Sequence, residues 1–479
     1  MAVMSPGGAR EGIGSAENGM ETQARFPPGR LERWLQKPSS QWTVDDLIRV
    51  VKERGIPMVT LIHVGGDGWL KTLDFVPHGA EHLRDVLEGG ERADGSSLFK
   101  GMGIPVGASD IVLRPRIETA FIDPFSPVPA LALRCGHVDR QGAPLPQSPD
   151  TLVHRAHRRA MSETGVDLHA LGEVEFFVGR KATENDVYGG DDRGYHATAP
   201  MVFGESLRRQ AMALLAEMGA PMKYGHSEVG YIEESGAEGL IWEQHEIELA
   251  LAPLPDAADW VVLTQWVLRH LAHRAGMQVS FDPIVRQGNA GTGLHFHFSP
   301  HRDGRSTLVQ DESGAWLEPS RWLVGGLVRL GGALMAFGNR TEYSYVRLTQ
   351  GKEAPSRILW GQFDRHALVR LPVSARTAEG RCVTTPTVEF RLPDGSAHPH
   401  LLLAGAAQAL VHGKSISELD ALLERTASSK ARESGDAGVP LPLSPKEVAA
   451  ALREHRSALE AGEVFPSGLL DSLAVDLAG

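Results

Sequence analysis

Short segments in which charged and apolar residues alternate are the most regular pattern in this chain. His295 and His297 alternate with Leu294, Phe296 and Phe298 directly after a glycine-rich turn. Side chains on a β-strand point to opposite faces at every second residue, so both imidazoles are expected on one face. Three other segments alternate in the same way: Glu173-Val-Glu175, Glu246-Ile-Glu248 and Glu389-Phe-Arg391. The pattern predicts four strands that present polar groups to a common site.

A site built from several carboxylates needs positive charge. Two carboxylates about 4 Å apart repel each other by roughly 4 kcal/mol at an effective dielectric constant near 20. Glutamate oxygens with one or two imidazole nitrogens suit Mg²⁺ or Mn²⁺, whereas zinc more often uses cysteine or several histidines. One alternating pair alone is typical of a half-buried strand with a solvated face. Four such pairs in one chain favour a site for divalent cations.

The region before residue 148 has the pattern of a small α+β domain. A helix is predicted from Thr43, which can cap it, and a strand at 58–63 that turns at Asp67-Gly68 into a second strand. Ala93 to Ser97 has the composition of a polar loop, and strands are predicted from Asp110 and Thr119. The proline-bearing run 142–149 predicts a linker, which gives domains at 41–147 and 148–479. Residues 1–40 lack periodic hydrophobicity, so a flexible tail is expected there.

The remainder alternates strands with long helices. The periodic apolar residues predict helices at 206–218, 256–275 and 401–411, and another that begins at Pro445. The segment 427–444 is rich in serine, glycine and proline, which predicts a surface loop.

Composition narrows the class of protein. The chain has 479 residues, 42% of them hydrophobic, and a net charge of -12, which argues against nonspecific binding to nucleic acid or anionic membranes. No apolar run approaches the roughly 20 residues that span a bilayer, and no signal peptide opens the chain. Cys135 and Cys382 are the only cysteines. A cytoplasmic location is therefore expected.

Seven motifs, in this order, resemble the glutamine synthetase family of the bacterial type I group. The resemblance runs from about Thr43 to the end of the chain. The motifs are Asp94-Gly-Ser-Ser97, Glu173-Val-Glu-Phe-Phe177, Gln244-His-Glu-Ile247, Gly293-Leu-His-Phe-His297, Arg347 to Pro355, Arg365 to Arg370 and Glu389-Phe-Arg-Leu-Pro-Asp394.

The resemblance implies an α+β fold in which an N-terminal β-grasp domain precedes a catalytic domain with a curved antiparallel sheet flanked by helices. It also implies a dodecamer of two stacked hexamers with active sites between neighbouring subunits. Asp94 and Ser97 would then act in the neighbour's site.

The family's reaction is ATP-dependent ligation of ammonia to the γ-carboxylate of glutamate through a γ-glutamyl phosphate. Two or three Mg²⁺ or Mn²⁺ ions are implied. By motif position, Glu175, Glu228 and Glu246 resemble the ligands of one metal. Glu173, His295 and Glu389 resemble those of a second metal. Read without the family, Glu228 would be an acid in a loop.

Other residues carry substrate roles by the same resemblance. Arg365 and Arg370 resemble arginines that face the transferred phosphate, and His297 and Ser299 resemble residues that contact the nucleotide. Arg347 and Arg391 resemble arginines that hold the substrate carboxylate, and Gly291 a glycine whose backbone approaches the amino acid. The positions that resemble the ammonium pocket are Asp94, Ser97, Tyr195, Glu228 and Glu353. Glu353 also matches a flap glutamate that shields the acyl phosphate from water.

The chain departs from the family pattern at several places. About ten additional residues lie between Glu228 and Glu246, within 231–240, so that Glu233 or Glu234 is an alternative ligand. Thr384 and Thr387 stand where many members have basic residues that help to bind the nucleotide.

Three other functions compete with glutamine synthesis. A γ-glutamyl amide ligase would use a polyamine, ethanolamine or an aromatic amine instead of ammonia. A non-catalytic scaffold would have lost catalytic groups, whereas the metal ligands and substrate arginines are present here. A metal hydrolase would predict His-Glu-x-x-His on a helix, and the sequence has no such motif.

Overall fold

Two β-sheets and the helices around them make up the protein. The computed structural model describes residues 28–479, apart from 101, 103, 105–108, 184–185, 187–193, 235–238, 309–315 and 435–438. Within the described residues, no helix combines the length and apolar character needed to cross a membrane. The predicted α+β fold is confirmed.

The first sheet lies in the N-terminal region. Its strands are β1 (Met58–Val64), β2 (Leu70–Phe75), β3 (Glu91–Asp94), β4 (Asp110–Pro115), β5 (Phe121–Ile122) and β6 (Ala130–Val138). The helices of this region are α1 (Arg30–Leu35), α2 (Val44–Arg54), α3 (Ala80–Gly89) and α4 (Gly95–Leu98). The strand order is β2-β1-β6-β4-β3, and β5 pairs with β6. β1 runs parallel to β6, and the other neighbours are antiparallel.

The sequence predicted helix α2 and the β1–β2 hairpin correctly. The Thr43 side chain accepts a hydrogen bond from the Asp46 backbone N–H, which caps α2. β1 and β2 pair across the turn at Asp67-Gly68, where Gly68 has φ +85°. Only a glycine adopts that conformation without strain.

Two segments of this region, one predicted as a flexible tail and one as a loop, contain regular structure instead. Residues 28–40 belong to the fold rather than to a flexible tail, because Leu31 and Leu35 of α1 are buried against the core of the first sheet. The expected tail at 1–27 lies outside the described residues. Ala93 and Asp94 end β3, and the Asp94 carboxylate accepts the backbone N–H of Ser96 and so begins α4. The polar composition of 93–97 is therefore that of a helix cap.

The second sheet carries the polar alternating segments. Its strands are β7 (Asp167–Lys181), β8 (Met222–Glu233), β9 (Leu240–Leu249), β10 (Ala252–Pro253), β11 (Gln278–Ser280), β12 (Leu294–Arg302), β13 (Arg305–Ser306), β14 (Arg357–Gln362), β15 (Ala367–Leu371), β16 (Val388–Phe390) and β17 (Val439–Pro440). The helices are α5 (Pro149–Thr164), α6 (Glu205–Met218), α7 (Leu254–Arg274), α8 (Glu318–Gly338), α9 (Glu342–Thr349), α10 (Pro399–Lys414), α11 (Leu419–Arg425), α12 (Ser428–Ser434), α13 (Pro445–Glu454), α14 (Arg456–Glu460) and α15 (Ser467–Ala478).

The order of this sheet is β17-β14-β15-β16-β12-β7-β9-β8, and its neighbouring strands are antiparallel except for β14 and β15. One face is apolar and fully buried, with Phe176, Phe296 and Phe390 packed towards the helices. The predicted helices at 206–218, 256–275, 401–411 and from Pro445 correspond to α6, α7, α10 and α13. The predicted loop at 427–444 was wrong in part, because it contains α12 and β17.

Candidate metal centre and ligase site

The pairing of four strands assembles the alternating segments on the polar face of the second sheet. Glu173 lies opposite His295 on one side and opposite Glu248 on the other. Glu175 lies opposite Glu246, and Glu389 lies opposite His297. Because each strand alternates its side chains, the same pairing places the phenylalanines on the reverse face.

One group of donors contains Glu173, His295 and Glu389, the three residues predicted to share a metal. His295 Nδ1 lies 3.0 Å from Glu173 Oε2 and 3.7 Å from Glu389 Oε1. The other oxygen of Glu389 accepts from Arg370 Nη1 at 2.8 Å, and Arg391 also bonds Glu389. The three donor atoms lie within 4.8 Å of one another, close enough to coordinate one ion.

A second group contains His226, Glu228 and Glu246. His226 Nε2 lies 3.3 Å from Glu246 Oε1, and His226 Nδ1 lies 3.6 Å from Glu228 Oε1. Glu228 is in strand β8, not in a loop. It occupies a bulge, because Ser227 pairs with His245 while Tyr231 already pairs with Glu243. A bulge re-aims the side chains that it contains, which brings Glu228 beside Glu246.

The two alternative acids, Glu233 and Glu234, lie outside this group. Glu234 accepts from Trp242 Nε1 at 2.9 Å near the end of the β8–β9 hairpin, and Glu233 is exposed. Neither belongs to a donor group in the described part of the chain. Glu175 was predicted as the third ligand here. Its Oε2 accepts from the Gly293 backbone N–H at 2.7 Å and from Gln244 Nε2 at 3.0 Å.

The carboxylates of this face interact strongly. Burial, together with the charge of Glu175, raises the pKa of Glu228 to about 8. Burial and the charges of Glu173, Glu175 and Glu228 raise the pKa of Glu246 well above its ordinary value. Burial alone would also raise the pKa of Glu173, but the His297 and His295 imidazoles outweigh it and hold that pKa well below the usual range. Such mutual repulsion is what a bound cation relieves.

Carboxylates and imidazoles together fit divalent cations of the magnesium and manganese type. Among the described residues, no Lys or Arg forms an ion pair with Glu173, Glu175, Glu228 or Glu246. Their ion-pair partners among the described residues are the histidines His226, His295 and His297. The donor set fits bound metal ions better than a network of salt bridges.

Arg347 and Arg391 lie beside the first group. Buried Arg347, on α9, donates to Leu392 O at 3.0 Å, and its Nη2 lies 3.3 Å from His295 Nε2. Gly291 approaches the same arginine so closely that a Cβ on it would lie 3.0 Å from Arg347 Cγ. Its carbonyl accepts from Gln244 Nε2 at 2.9 Å. A side chain at position 291 would therefore force Arg347 or the Pro283 carbonyl to shift.

Glu353 lies on the segment after α9, at the edge of the site. Its carboxylate accepts from Arg365 Nη1 at 2.8 Å, and its carbonyl accepts from Arg391 Nη2 at 2.9 Å. Its φ of 36° is uncommon for a residue with a side chain. The hydrogen bond that Arg365 donates to Glu353, the negative charge of Glu353 and a hydrogen bond with Tyr195 raise the pKa of Arg365. The structure therefore brings Glu353, Arg365 and Tyr195 together.

His297 lies at the other end of the polar face. Its Nε2 is 2.8 Å from Glu173 Oε1, and its Nδ1 is 2.8 Å from Thr387 Oγ1. Ser299, two residues further along β12, is fully buried, and its hydroxyl contacts His301 and Ser306. The structure does not bring Ser299 to the metal groups.

Asp94 and Ser97 are apart from these groups within one chain. Asp94 Oδ2 accepts from Ser97 Oγ at 2.6 Å, and the hydroxyls of Ser109, Ser97 and Ser96 hold the Asp94 pKa below its usual range. In the described part of the chain, all of these contacts are local to the end of β3.

Two donors were missed as ligands from the sequence. His226 and Glu248 each belong to a donor group, yet neither was among the predicted ligands. The same alternation could have identified them. His226 lies two residues before Glu228, and Glu248 lies two residues after Glu246, so each shares a strand face with a predicted ligand.

Comparison with known proteins agrees with this site and fold. Residues 147–472 match the family described as "Glutamine synthetase, catalytic domain". The glutamine synthetase of Clostridium saccharobutylicum is 31% identical over 383 residues, which cover 78% of this chain and 80% of that protein. The 3-hydroxylaminophenol mutase of Cupriavidus pinatubonensis is 28% identical over 470 residues, which cover 90% of this chain and 94% of that protein.

Among solved structures, the Plasmodium falciparum glutamine synthetase superimposes with a TM-score of 0.76 at 19% identity, covering 91% of this chain and 95% of that one. Apo GmaS superimposes with a TM-score of 0.73 at 20% identity, covering 90% of this chain and 94% of that one. These likenesses show a shared fold. The family match and the Clostridium relative show that the chain belongs to the glutamine synthetase family and is a ligase of that type. The recognition made from the seven motifs is confirmed.

Proposed function

We propose that the protein ligates ammonia to the γ-carboxylate of L-glutamate, with ATP converted to ADP and phosphate. The observation that carries the proposal is the convergence of Glu173, His295 and Glu389 with the His226–Glu228–Glu246 group on one sheet face. Metal sites paired in this way suit phosphoryl transfer, in which charge spreads over the phosphoryl oxygens.

In the first step, a γ-carboxylate oxygen of glutamate attacks the γ-phosphorus of ATP, and ADP leaves. Mg²⁺ or Mn²⁺ held by the two donor groups and Glu175 would neutralise charge on the phosphoryl oxygens. Arg370, next to Glu389, is our candidate for the phosphate. Arg347 and Arg391 are our candidates for the substrate α-carboxylate, which a guanidinium binds through two parallel hydrogen bonds.

In the second step, ammonia attacks the acyl carbon, inorganic phosphate leaves, and one proton passes to a carboxylate. We assign the shielding of the acyl phosphate to Glu353 and Arg365, because their ion pair joins the segment after α9 to the turn before β15, the strand that bears Arg370. Asp94 and Ser97 of a neighbouring subunit complete the ammonium pocket in this proposal, together with Tyr195 and Glu228. A multi-subunit assembly, such as a dodecamer, is then required for activity.

The test is phosphate release that depends on ATP, Mg²⁺ and glutamate, with the product identified by mass spectrometry. We expect turnover with ammonium to give glutamine. Asp94→Ala is expected to lower ammonium-dependent turnover at least about 100-fold, the lower end of the range for loss of a general base. Asp110→Ala is the matched control, because Asp110 lies opposite Asp94 in the strand pair and is exposed. Equal loss in both variants, or loss in neither, would contradict the assigned role of Asp94.

Mixed subunits test the shared site. Asp94→Ala and Arg365→Ala subunits are each expected to be inactive, and a mixture reassembled from both should recover part of the activity. Recovery requires that residues of two chains meet in one site. If the mixture stays as inactive as its components, the site is contained within a single chain.

A second candidate is a γ-glutamyl amide ligase that uses a larger amine. Tyr195 stacks on His196 with ring centroids 4.4 Å apart, and His196 lies 4.6 Å from His226 of the second metal group. Tyr195 and Tyr224 are both exposed. Aromatic rings beside a metal group favour an amine with an apolar or aromatic body. Turnover with such an amine but not with ammonium would select this candidate.

A further inference from the structure

The β8–β9 hairpin includes the additional residues within 231–240, to which the proposed reaction gives no role. The described part of this hairpin is firmly held. Near its end, the Glu234 carboxylate accepts from Trp242 Nε1 at 2.9 Å. Trp242 and Ile232 are buried with Phe177 of β7 in a small core of their own. The hairpin is therefore rigid enough to support whatever packs against it.

The loop between β11 and β12 packs against this hairpin. Arg286 Nη1 donates to the Glu233 carbonyl at 2.6 Å, and Asn289 Nδ2 donates to the Tyr231 carbonyl at 3.4 Å. Arg286 Nε also donates to Asn289 Oδ1 at 2.9 Å, which joins the two contacts. Val285 packs against the small core of the hairpin. Polar and apolar contacts therefore both fasten the loop to the hairpin.

The same loop reaches two parts of the ligase site. The Gly288 backbone N–H donates to Gln350 Oε1 at 2.6 Å, and Gln350 caps the end of α9, three residues before Glu353. Gly291 lies three residues after Gly288, and its carbonyl accepts from Gln244 Nε2 at 2.9 Å. The loop therefore connects the hairpin both to Gly291 and to the segment that bears Glu353.

We propose that the β8–β9 hairpin is a brace that holds the loop 285–291 against the end of α9, with Arg286 and Gln350 as positioning residues. The consequence for the reaction rests on the proposed function. When the loop moves away, water attacks the acyl carbon of γ-glutamyl phosphate, and the bond from that carbon to the phosphate oxygen breaks. Glutamate and phosphate then form without the amide, and the water protons pass to the phosphate and the solvent.

Hydrogen–deuterium exchange of the substrate-free protein tests the brace. A peptide that spans 284–293 reports on four hydrogen-bonded backbone N–H groups, those of Gly288, Asn289, Thr292 and Gly293. Loss of one hydrogen bond shifts a local opening equilibrium by about 2- to 10-fold. We expect this peptide to exchange faster by that factor in Arg286→Ala and in Gln350→Ala. Exchange at the wild-type rate in both variants would overturn the proposal.

Two matched variants separate these contacts from a general loss of order. Gln350→Glu keeps an oxygen that accepts from the Gly288 N–H, so it should exchange at the wild-type rate. Arg155→Ala is the control for Arg286→Ala, because Arg155 also donates to a backbone carbonyl, that of Glu463, but lies on α5, outside the loop and the hairpin. Exchange in Gln350→Glu as fast as in Gln350→Ala, or faster exchange of the loop in Arg155→Ala, would contradict the assignment.

Turnover with ammonium tests the consequence for the reaction. The wild type, Gln350→Glu and Arg155→Ala should release phosphate and glutamine in equal amounts. In Arg286→Ala and Gln350→Ala, phosphate should exceed glutamine, because the hydrolysed share follows the open fraction of the loop. Equal amounts in variants whose loop exchanges faster would contradict the shielding role. If the wild type makes no glutamine, the proposed function fails, whereas the exchange experiment still decides whether the hairpin braces the loop.

Discussion

Two regions of the molecule bury ionised groups, and they do so in opposite ways. At the contact between the first sheet and helices α5, α7 and α10, Asp259 accepts from Arg116 at 2.6 Å, from Arg134 at 2.9 Å and from His400 at 2.9 Å. On the polar face of the second sheet, Glu228 and Glu246 both lie beside His226 and close to each other. No Lys or Arg forms an ion pair with either carboxylate among the described residues.

The directions of the pKa shifts express this difference. Burial raises the pKa of Asp150, but the charge of Arg116 and the hydrogen bond and charge of His154 together outweigh it and lower that pKa to about 2. Burial and neighbouring carboxylates together raise the pKa of Glu228 to about 8. Acids that pair with arginines join the first sheet to helices α5, α7 and α10. Acids without them form the site that, in our proposal, a bound cation completes.

The largest effect is expected from breaking the paired region. Asp259→Ala would leave two buried guanidinium groups without their shared carboxylate, which costs roughly 3–5 kcal/mol. Urea unfolding followed by circular dichroism would measure the loss. A change below about 1 kcal/mol would mean that solvent or other groups satisfy these arginines.

Adding metal should stabilise the unpaired region by a somewhat smaller amount for each site that is filled. An ion that binds only the folded chain contributes about 2.7 kcal/mol per site at roughly 100 times its Kd. The midpoint of thermal unfolding should therefore rise with Mg²⁺ or Mn²⁺, and Glu246→Gln should reduce the rise. The control is a buffer without divalent cations, brought to the same ionic strength with NaCl. If NaCl stabilises equally, simple screening accounts for the effect.

Removing a charge from the unpaired region should stabilise the metal-free protein at high pH. The folded-state pKa of Glu228, about 8, lies above the ordinary glutamate pKa of 4.5, so the metal-free fold loses stability as pH rises from about 4.5 to 8. Glu228→Gln cannot titrate. In EDTA at pH 8, the free energy of unfolding of Glu228→Gln should exceed that of the wild type by about 2 kcal/mol. A rigid fold would give a larger difference, at roughly 1.4 kcal/mol for each unit of the pKa shift.

The advantage of Glu228→Gln should vanish near pH 4, where the wild-type carboxyl is protonated in both states. Urea unfolding of both proteins at several pH values would measure the difference. An advantage that is constant from pH 4 to 8 would point to packing rather than charge.

The smallest effect is expected at a carboxylate outside both regions. Glu234→Gln keeps an oxygen that can accept from Trp242, so the free energy of unfolding should change by less than about 0.5 kcal/mol. Its stability should also be as sensitive to Mg²⁺ as that of the wild type. A lower sensitivity would place Glu234 in the metal centre.

The sequence predicted the polar face well because alternation is a local property. The sharing of one strand face by Glu173 and Glu175 follows from their spacing alone. The identity of each facing residue does not, because strand pairing joins residues such as Glu173 and His295 that are far apart in the chain. The bulge at Glu228 could not be predicted from the sequence either, since it depends on how β8 and β9 pair.

The paired region had no sequence pattern at all. Arg116, Arg134, Asp150 and Asp259 lie on separate elements, and each alone has the appearance of a surface charge. Helix α1 was missed for a different reason. It is only six residues long, too short for a periodic pattern, although Leu31 and Leu35 are spaced to share one helix face.

Anomalous X-ray diffraction from crystals grown with Mn²⁺ would test the central claim most directly. We predict peaks within about 2.0–2.4 Å of the donor atoms of Glu173, His295 and Glu389 and of those of Glu228 and Glu246, distances typical of such ions. Absence of manganese from this face, with the carboxylates still facing one another, would contradict the account that bound cations complete the site.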